Sequence, residues 1–323
     1  MSPVRGLRTV EKRAVVATWV FTGALEVPTL STIMRCLLFA MLIGACGPAD
    51  RAGNGVIDAP GSRDGTLPTG DAIDDGCGGV PNCYSVYAHS DHTLYVIDLM
   101  TKQLQTVGPF KAPMVSGGED VITDLAVAPD GTIWVVSETA IYKADGTDGH
   151  VTKVGSLATC GTRGVALTFT AAGKLYTGDF TGKLCEIDVS QSPPVVKPPV
   201  TLANGLALSG DLVAVADGTV FGTLYKISDM PNKGTNLSNI LGKIDVTTGA
   251  VTQLGASGYP KLFGTSFAAG HVMGFTHDGT GDVVEMDPTT GAGTLFGTFK
   301  DPTTMMGISF AGAGVNALVP VIQ

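Results

Sequence analysis

Three polar residues stand next to short stretches in which small and large residues alternate, and they are the candidate ligand-binding residues: Asp124, Arg163 and Asn204. A carboxylate or an amide oxygen can ligate a cation or accept a hydrogen bond, and a guanidinium can hold an anion. The alternative interpretation is that these side chains only stabilise turns, since Asp and Asn often bond to nearby backbone amides.

Other features of the sequence exclude several kinds of chemistry. The chain has no Gly-x-Ser-x-Gly nucleophile elbow and no phosphate-binding loop that ends in Gly-Lys-Ser/Thr. Its net charge is −9, with only 20 Lys and Arg residues, so we expect no nucleic-acid partner. Two pairs of histidines could share a metal ion, although exposed loop histidines explain them as well: His89 with His92, and His271 with His277.

The elements that carry these residues are expected to be β-strands. The chain contains 44 Gly and 18 Pro among 323 residues, and only 15% of its residues are charged. Glycine makes up about 7% and charged residues about 25% of an average protein. Such an excess of turn-forming residues with so few charges argues against a helical bundle, a coiled coil or a charge-rich disordered chain.

One sequence unit recurs five times after residue 84. Each copy is a short apolar segment that ends in aspartate, followed by a turn and a second alternating segment. The aspartates are Asp98, Asp145, Asp188, Asp245 and Asp287. Since an aspartate can accept hydrogen bonds from turn amides, this recurrence predicts one repeated structural turn rather than an active site.

A second unit, also in five copies, is offset from the first and begins a segment of alternating small and large residues. Its copies start at Asp124, Ala166, Gly205, Gly264 and Gly307. Together the two units repeat every roughly 40 to 60 residues, which is typical of the four-stranded blades of a β-propeller. We therefore predict an all-β fold, a β-propeller.

Both ends of the domain are expected to contribute to one blade. Four complete blades fit between residues 124 and 297, the hairpin 307–320 supplies two further strands, and residues 84–108 supply the missing outer pair. N- and C-terminal strands then close the ring, which removes open sheet edges. The count is five blades; six is the alternative, because residues 84–89 form one strand more than five blades require. The longest interval between repeats indicates an insertion at Thr219–Asn239.

Two stretches resemble known families. The first resemblance is to the repeats of the NHL and YVTN-type propeller superfamily, and it is found in Thr123–Trp134 and Leu241–Gly249. This resemblance implies the propeller fold over most of residues 84–320, but it implies no activity. Ala203–Ser209 resembles the Asn-Gly-Leu segment of the SMP-30/gluconolactonase family, whose asparagine ligates a catalytic divalent metal. That resemblance implies that Asn204 is a metal ligand supported by Asp124, with a divalent cation such as calcium as cofactor. The implied reaction is hydrolysis of a lactone, in which the metal polarises the carbonyl and activates water.

The amino-terminal region is expected to direct export. Residues 34–46 have one arginine, a compact apolar run and small residues before Cys46, as in a cleaved signal, whereas a membrane span needs about 20 apolar residues. Residues 42–46 resemble the lipobox of bacterial lipoproteins, in which the cysteine is acylated and becomes the new amino terminus. We therefore expect lipidation at Cys46 and a protein anchored in the bacterial cell envelope by lipid alone. Residues 1–33 are either a longer basic leader or precede the true start codon.

The signal region 1–46 is followed by a segment with a different composition. Residues 47–76 are rich in Gly, Asp and Pro and lack aromatic residues, so we expect a disordered tether. Its acidic end, 71–75, lacks the spaced ligands of a calcium loop. The propeller domain then spans 77–323. An exported domain can form disulfides, and the sequence leaves their pairing open among Cys77, Cys83, Cys160 and Cys185.

These patterns predict an envelope-anchored binding or scaffold module. It would recognise a protein or glycan partner through the loops that enter the inner strands and through the insertion at Thr219–Asn239. The alternative is the metal-dependent hydrolase centred on Asn204, and the scarcity of catalytic motifs favours a binding module over an enzyme.

Overall fold

Short alternating segments separated by glycine-containing turns form the strands of this protein, as a residue period of two predicts. A computed structural model describes residues 84–115, 117–157, 160, 164–232 and 238–319. Within these residues the strands form five blades and one additional two-stranded hairpin, and the innermost strands of successive blades pack against each other in a ring. The prediction of an all-β propeller with five blades is confirmed.

The first three blades follow one another along the chain. Blade 1 begins with β1 (Ser85–His89), β2 (Thr93–Asp98) and β3 (Gln103–Pro109). A small hairpin follows, made of β4 (Met114–Val115) and β5 (Gly118–Glu119). Blade 2 contains β6 (Ile122–Val127), β7 (Ile133–Ser137), β8 (Ala140–Ala144) and β9 (Val151–Ser156). Blade 3 contains β10 (Ala166–Phe169), β11 (Leu175–Gly178), β12 (Lys183–Asp188), β13 (Val195–Val196) and β14 (Val200–Thr201).

The remaining strands complete the ring. Blade 4 contains β15 (Leu206–Ala214), β16 (Val220–Lys226), β17 (Ile240–Ile244) and β18 (Val251–Ala256). Blade 5 contains β19 (Leu262–Ala268), β20 (His271–Thr276), β21 (Asp282–Met286) and β22 (Gly293–Thr298). The last strand, β23 (Gly312–Gly314), is the inner strand of blade 1. Two 3-10 helices are also described, Ala203–Gly205 and Ile227–Asn232.

The closing blade combines three strands from one end of the domain with one from the other. β23 pairs antiparallel with β1, so that His89 is opposite Gly312. The expectation of two strands from each end was wrong, because Gly307 makes only an isolated bridge, to Lys300. Residues 84–89, which raised the alternative of six blades, provide the second strand of blade 1.

The recurring aspartates lie in the turn between the third and fourth strands of each blade. In blade 4, Oδ1 of Asp245 accepts hydrogen bonds from the Thr247 amide at 2.9 Å and the Thr247 hydroxyl at 2.7 Å. These bonds lower the pKa of Asp245 to about 2, the side-chain bond to Thr247 being the largest cause. Asp145 and Asp287 accept amide bonds in the same way, so the repeated motif is a structural turn.

Apolar side chains fill the spaces between adjacent blades. One such cluster joins Leu94 and Phe110, from blade 1 and the segment after it, to Val135 and Tyr142 of blade 2. Another joins Phe221 of blade 4 to buried side chains of blade 5. Because each blade buries both of its faces, a small number of charged residues suffices for this fold. No helix in the described part of the chain is long and apolar enough to span a membrane.

Two further expectations concern individual segments. Cys160 and Cys185 form a disulfide with Cα atoms 5.7 Å apart, which joins the segment before β10 to β12. The insertion in blade 4 is shorter than Thr219–Asn239, because Val220–Lys226 is a regular strand, and it comprises 227–239. Cys46, the tether, Cys77, Cys83 and Arg163 lie outside the described residues.

Candidate functional site

The two ends of the propeller differ in the loops that they carry. At one end, which we call the connector face, each outer strand leads into the inner strand of the next blade. Its connectors are 110–121, 157–165, 202–205, 257–261 and 299–311. The aspartate turns lie at the opposite end of the propeller. Tyr84 lies at that end too, because its carbonyl oxygen accepts a hydrogen bond from the amide of Leu99, which directly follows Asp98.

Asp124 is fully buried at the start of the inner strand of blade 2. A β-bulge between Ile122 and Asp124 shifts the strand register at this point, and bulges often re-aim a side chain in this way. Oδ1 of Asp124 accepts a hydrogen bond from the Leu125 amide at 2.8 Å. The structure therefore places this predicted residue in the central channel, out of contact with solvent.

Asp211 is a second fully buried carboxylate in the channel, and it was not identified from the sequence. It lies within an irregularity of β15, where the strand register shifts between Leu208 and Leu212. Its Oδ1 accepts hydrogen bonds from the amides of Leu212 at 2.5 Å and Leu167 at 3.4 Å. Its Oδ2 accepts one from the Thr265 amide at 2.8 Å. One carboxylate thus links the inner strands of blades 3, 4 and 5.

A repeat in the sequence could have revealed Asp211. Asp124 and Asp211 each precede an Asp-Gly-Thr turn by the same number of residues, and the two turns have the same bonds. The Thr132 amide donates to Asp130 at 2.9 Å, and the Thr219 amide donates to Asp217 at 2.8 Å. The copy of the second unit assigned to Gly307 was misplaced, because residues 307–311 precede β23, the inner strand of blade 1. The copy assigned to Gly205 does lead into the inner strand of blade 4, which begins at Leu206, but that strand continues through Asp211 to Ala214 without the expected turn.

His89 completes the polar cluster from the second strand of blade 1. It is fully buried, and its Nδ1 lies 2.8 Å from the Ser90 carbonyl oxygen, which makes Nδ1 the protonated nitrogen. Its Nε2 has no hydrogen-bond partner among the described residues. A Cβ on Gly312 would lie 2.4 Å from this Nε2 and 2.2 Å from Oδ1 of Asp124, so glycine is what allows the two side chains to face each other.

Burial determines the charge states of this cluster. Burial, and then the charge of Asp211, raises the pKa of Asp124 well above its usual value. Burial raises the pKa of Asp211 to about 7, although its amide donors oppose the shift. Burial lowers the pKa of His89 to about 4, with the Ser90 carbonyl opposing the shift and the nearby His277 adding to it. The histidine is therefore neutral near pH 7, and the two carboxyls retain a proton between them.

The residues suggested by the metal-site resemblance lie in different environments. Asn204 is exposed in a 3-10 helix and has a left-handed backbone, with φ of 62°, whereas Asp124 is buried. Among the described residues, no group of three or more His, Cys, Asp or Glu side chains could hold a metal ion.

The connector face carries large apolar side chains in solvent. Met114 is 77% exposed, Met305 67% and Met306 70%. Val115 and Val121 are exposed in the same connector as Met114, and Ile227 is exposed directly after β16, at the same end. These residues were not predicted from the sequence, because only polar side chains were considered as candidates in the connectors.

Comparison with known proteins does not assign this chain to a family. No protein-family model matches the chain, and no curated protein matches it. A protein of unknown function from Bacteroides caccae is 13% identical, covering 65% of this chain and 71% of that chain, with a TM-score of 0.40. Virginiamycin B lyase from Staphylococcus aureus is 13% identical over 69% of this chain and 72% of that chain, with a TM-score of 0.39. These similarities carry no argument about activity, and the fold is established by the sheets themselves.

Proposed function

We propose that this protein is an envelope-anchored binding module that holds a protein partner on its connector face. The observation that supports this proposal is the distribution of exposed apolar side chains. Six of them belong to the connector face: Met114, Val115, Val121, Ile227, Met305 and Met306. Exposed apolar side chains gathered in one region commonly mark a protein-interaction site.

Hydrogen bonds hold the segments that present these side chains. The Ala112 amide donates to Glu119 at 2.6 Å, which closes the connector around the hairpin that carries Met114. On the other side of blade 1, the Tyr95 hydroxyl donates to Asp301 at 2.9 Å, and Asp301 also accepts the Thr304 amide at 2.8 Å. Such pre-ordered segments lose little conformational entropy when a partner binds.

Burial of the channel carboxylates also favours binding over catalysis. Asp124, Asp211 and His89 are fully buried and packed between inner strands, so a substrate at the connector face would not reach them in this conformation. The groups that are accessible at this face include exposed apolar side chains together with Lys111, Asn204 and Lys300, a mixture that suits recognition of a protein surface.

Crosslinking from the two ends of the propeller tests the proposal. A photo-crosslinking amino acid at Met305 should capture one defined envelope protein, and the same probe at Met100, which is 68% exposed at the opposite end, should not. Adding Met114→Lys to the Met305 probe should reduce the yield of that product severalfold. Equal capture from both ends, or a yield unchanged by Met114→Lys, would show that the connector face is not the binding surface.

A further inference from the structure

We propose that Asp124 and Asp211 share one proton in the central channel, and that this proton makes closure of the five-bladed ring dependent on pH. This inference concerns the buried interior of the propeller and is independent of the partner proposed for the connector face.

The two carboxyl groups lie where they contact the inner strand of every blade. Asp211, in blade 4, accepts amide hydrogens from Leu167 in blade 3 and Thr265 in blade 5. Asp124, in blade 2, lies against Gly312, the first residue of the inner strand of blade 1. The two side chains therefore contact all five inner strands, including the strand that closes the ring.

The hydrogen bonds show which carboxyl holds the proton. Both oxygens of Asp211 accept backbone amide hydrogens, which stabilise the ionised form. Oδ2 of Asp124 accepts no hydrogen bond from the described residues, although it is buried. Two adjacent buried carboxylates cannot both ionise without a large electrostatic cost, so Asp124 is the protonated partner and donates toward Asp211. The hydrogen bond and charge of Asp211 raise the pKa of Asp124 accordingly.

Two histidines are the other titratable groups near the pair. His89, from β1, faces Asp124 across Gly312 and is neutral at pH 7, because burial lowers its pKa to about 4. His277 lies next to His89, follows β20 and stacks on Phe263 with ring centroids 4.6 Å apart. The strands β10 and β19 contribute backbone amides, and β23 contributes Gly312. His89 in its neutral form does not replace the shared proton.

The sign of the pH dependence follows from these shifts. The folded pKa of each carboxyl lies above its unfolded value of about 3.9, so the stability that the proton supports is complete at acid pH and is lost as pH rises through the folded pKa. His89 acts in the opposite direction, but only between about 4 and its unfolded value of about 6.5. Above pH 6.5 the carboxyl pair alone therefore remains. One proton corresponds to a change of up to about tenfold in the folding equilibrium constant per pH unit.

Unfolding of the full-length chain in denaturant, followed between about pH 6.5 and pH 8.5, tests the inference. We expect the folding equilibrium constant of the wild type to fall as pH rises. Asp124→Asn keeps the shape of a neutral acid without a titrating proton, so its equilibrium constant should fall less than that of the wild type over this range. The remaining fall comes from Asp211, whose pKa burial raises to about 7. Asp130→Asn, in the exposed turn after the same strand, is the matched control and should keep the wild-type slope.

An unchanged slope in Asp124→Asn, or a flat wild-type profile, would overturn the inference. If the Asn variant does not fold, infrared spectroscopy of the wild type decides the question. The carbonyl band of a buried, protonated carboxylic acid should be present near pH 6.5 and should disappear at higher pH in the folded protein. Absence of that band at pH 6.5 would show that the pair holds no proton.

Discussion

A glycine in the inner strand of blade 1 leaves the space that two polar side chains of the interior occupy. At Gly312, the space that a Cβ would occupy is taken by Oδ1 of Asp124 and Nε2 of His89. Gly264 similarly leaves room for the backbone of residues 312 and 313. Glycine at these inner positions thus allows five strands to approach closely while two carboxylates fit between them.

Gly312→Ala should therefore destabilise the protein strongly. The added methyl would lie 2.2 Å from Asp124 and 2.9 Å from its Cα, so side chain and backbone must both move. Overpacking of this kind typically costs about 1–3 kcal/mol, and displacement of a buried carboxyl adds to that cost. The midpoint of denaturant unfolding measures the effect. Gly297→Ala is the control, since its nearest neighbouring atom would be 3.7 Å away, and a loss of stability equal to that of Gly312→Ala would contradict this account.

At the scale of residues, the sequence revealed one of the two channel carboxylates. Asp124 was recognisable because it starts an alternating segment directly after a loop. Asp211 was not recognised, because a Ser-Gly pair precedes it and a bulge lengthens its strand. The residues that flank His89 in the sequence indicate neither its burial nor its position against Asp124, because closure of the ring brings together residues that are far apart in sequence.

At the scale of elements, repetition determined how well the strands could be predicted. The aspartate unit marks the turn between the third and fourth strands of every blade, because its Asp accepts a hydrogen bond from a turn amide two or three residues later. The unit that begins the inner strands varies more, since inner residues respond to the packing of neighbouring blades. For that reason its fifth copy, and the division of strands in the closing blade, were predicted incorrectly.

The disulfide joins an irregular connector to a strand of a blade. Cys160 belongs to the connector before β10, and Cys185 is buried in β12 of the same blade. Replacing both residues by serine should lower the free energy of unfolding by about 3 kcal/mol, as expected for a loop of this length. Calorimetry with and without a reductant measures this loss. The reductant should destabilise the wild type by more than it destabilises the double variant; an equal reductant effect on the two proteins would contradict the assignment.

At the scale of the whole molecule, the two ends of the propeller have different roles in the proposal. The described chain begins at the end that carries the aspartate turns, while the exposed methionines Met114, Met305 and Met306 belong to the connector face. A chain that reaches the propeller from a membrane anchor would therefore enter at the end opposite the proposed binding surface. If the protein is anchored as proposed, the connector face would stay accessible to a partner.

Substitution of Cys46 tests the anchor on which that arrangement depends. If Cys46 is acylated, the full-length protein should partition with membranes, and Cys46→Ser should move most of it to the soluble fraction, because each buried methylene of an acyl chain contributes about 0.8 kcal/mol to membrane binding. Cys36→Ser is the matched control, since Cys36 lies before the lipobox-like residues 42–46, and it should leave partitioning unchanged. Mass spectrometry of the amino-terminal peptide should show the acyl chains only when Cys46 is present. If Cys46→Ser fractionates like the wild type, lipid does not hold the protein at the membrane, and the connector face must then be considered as the surface of a freely diffusing protein.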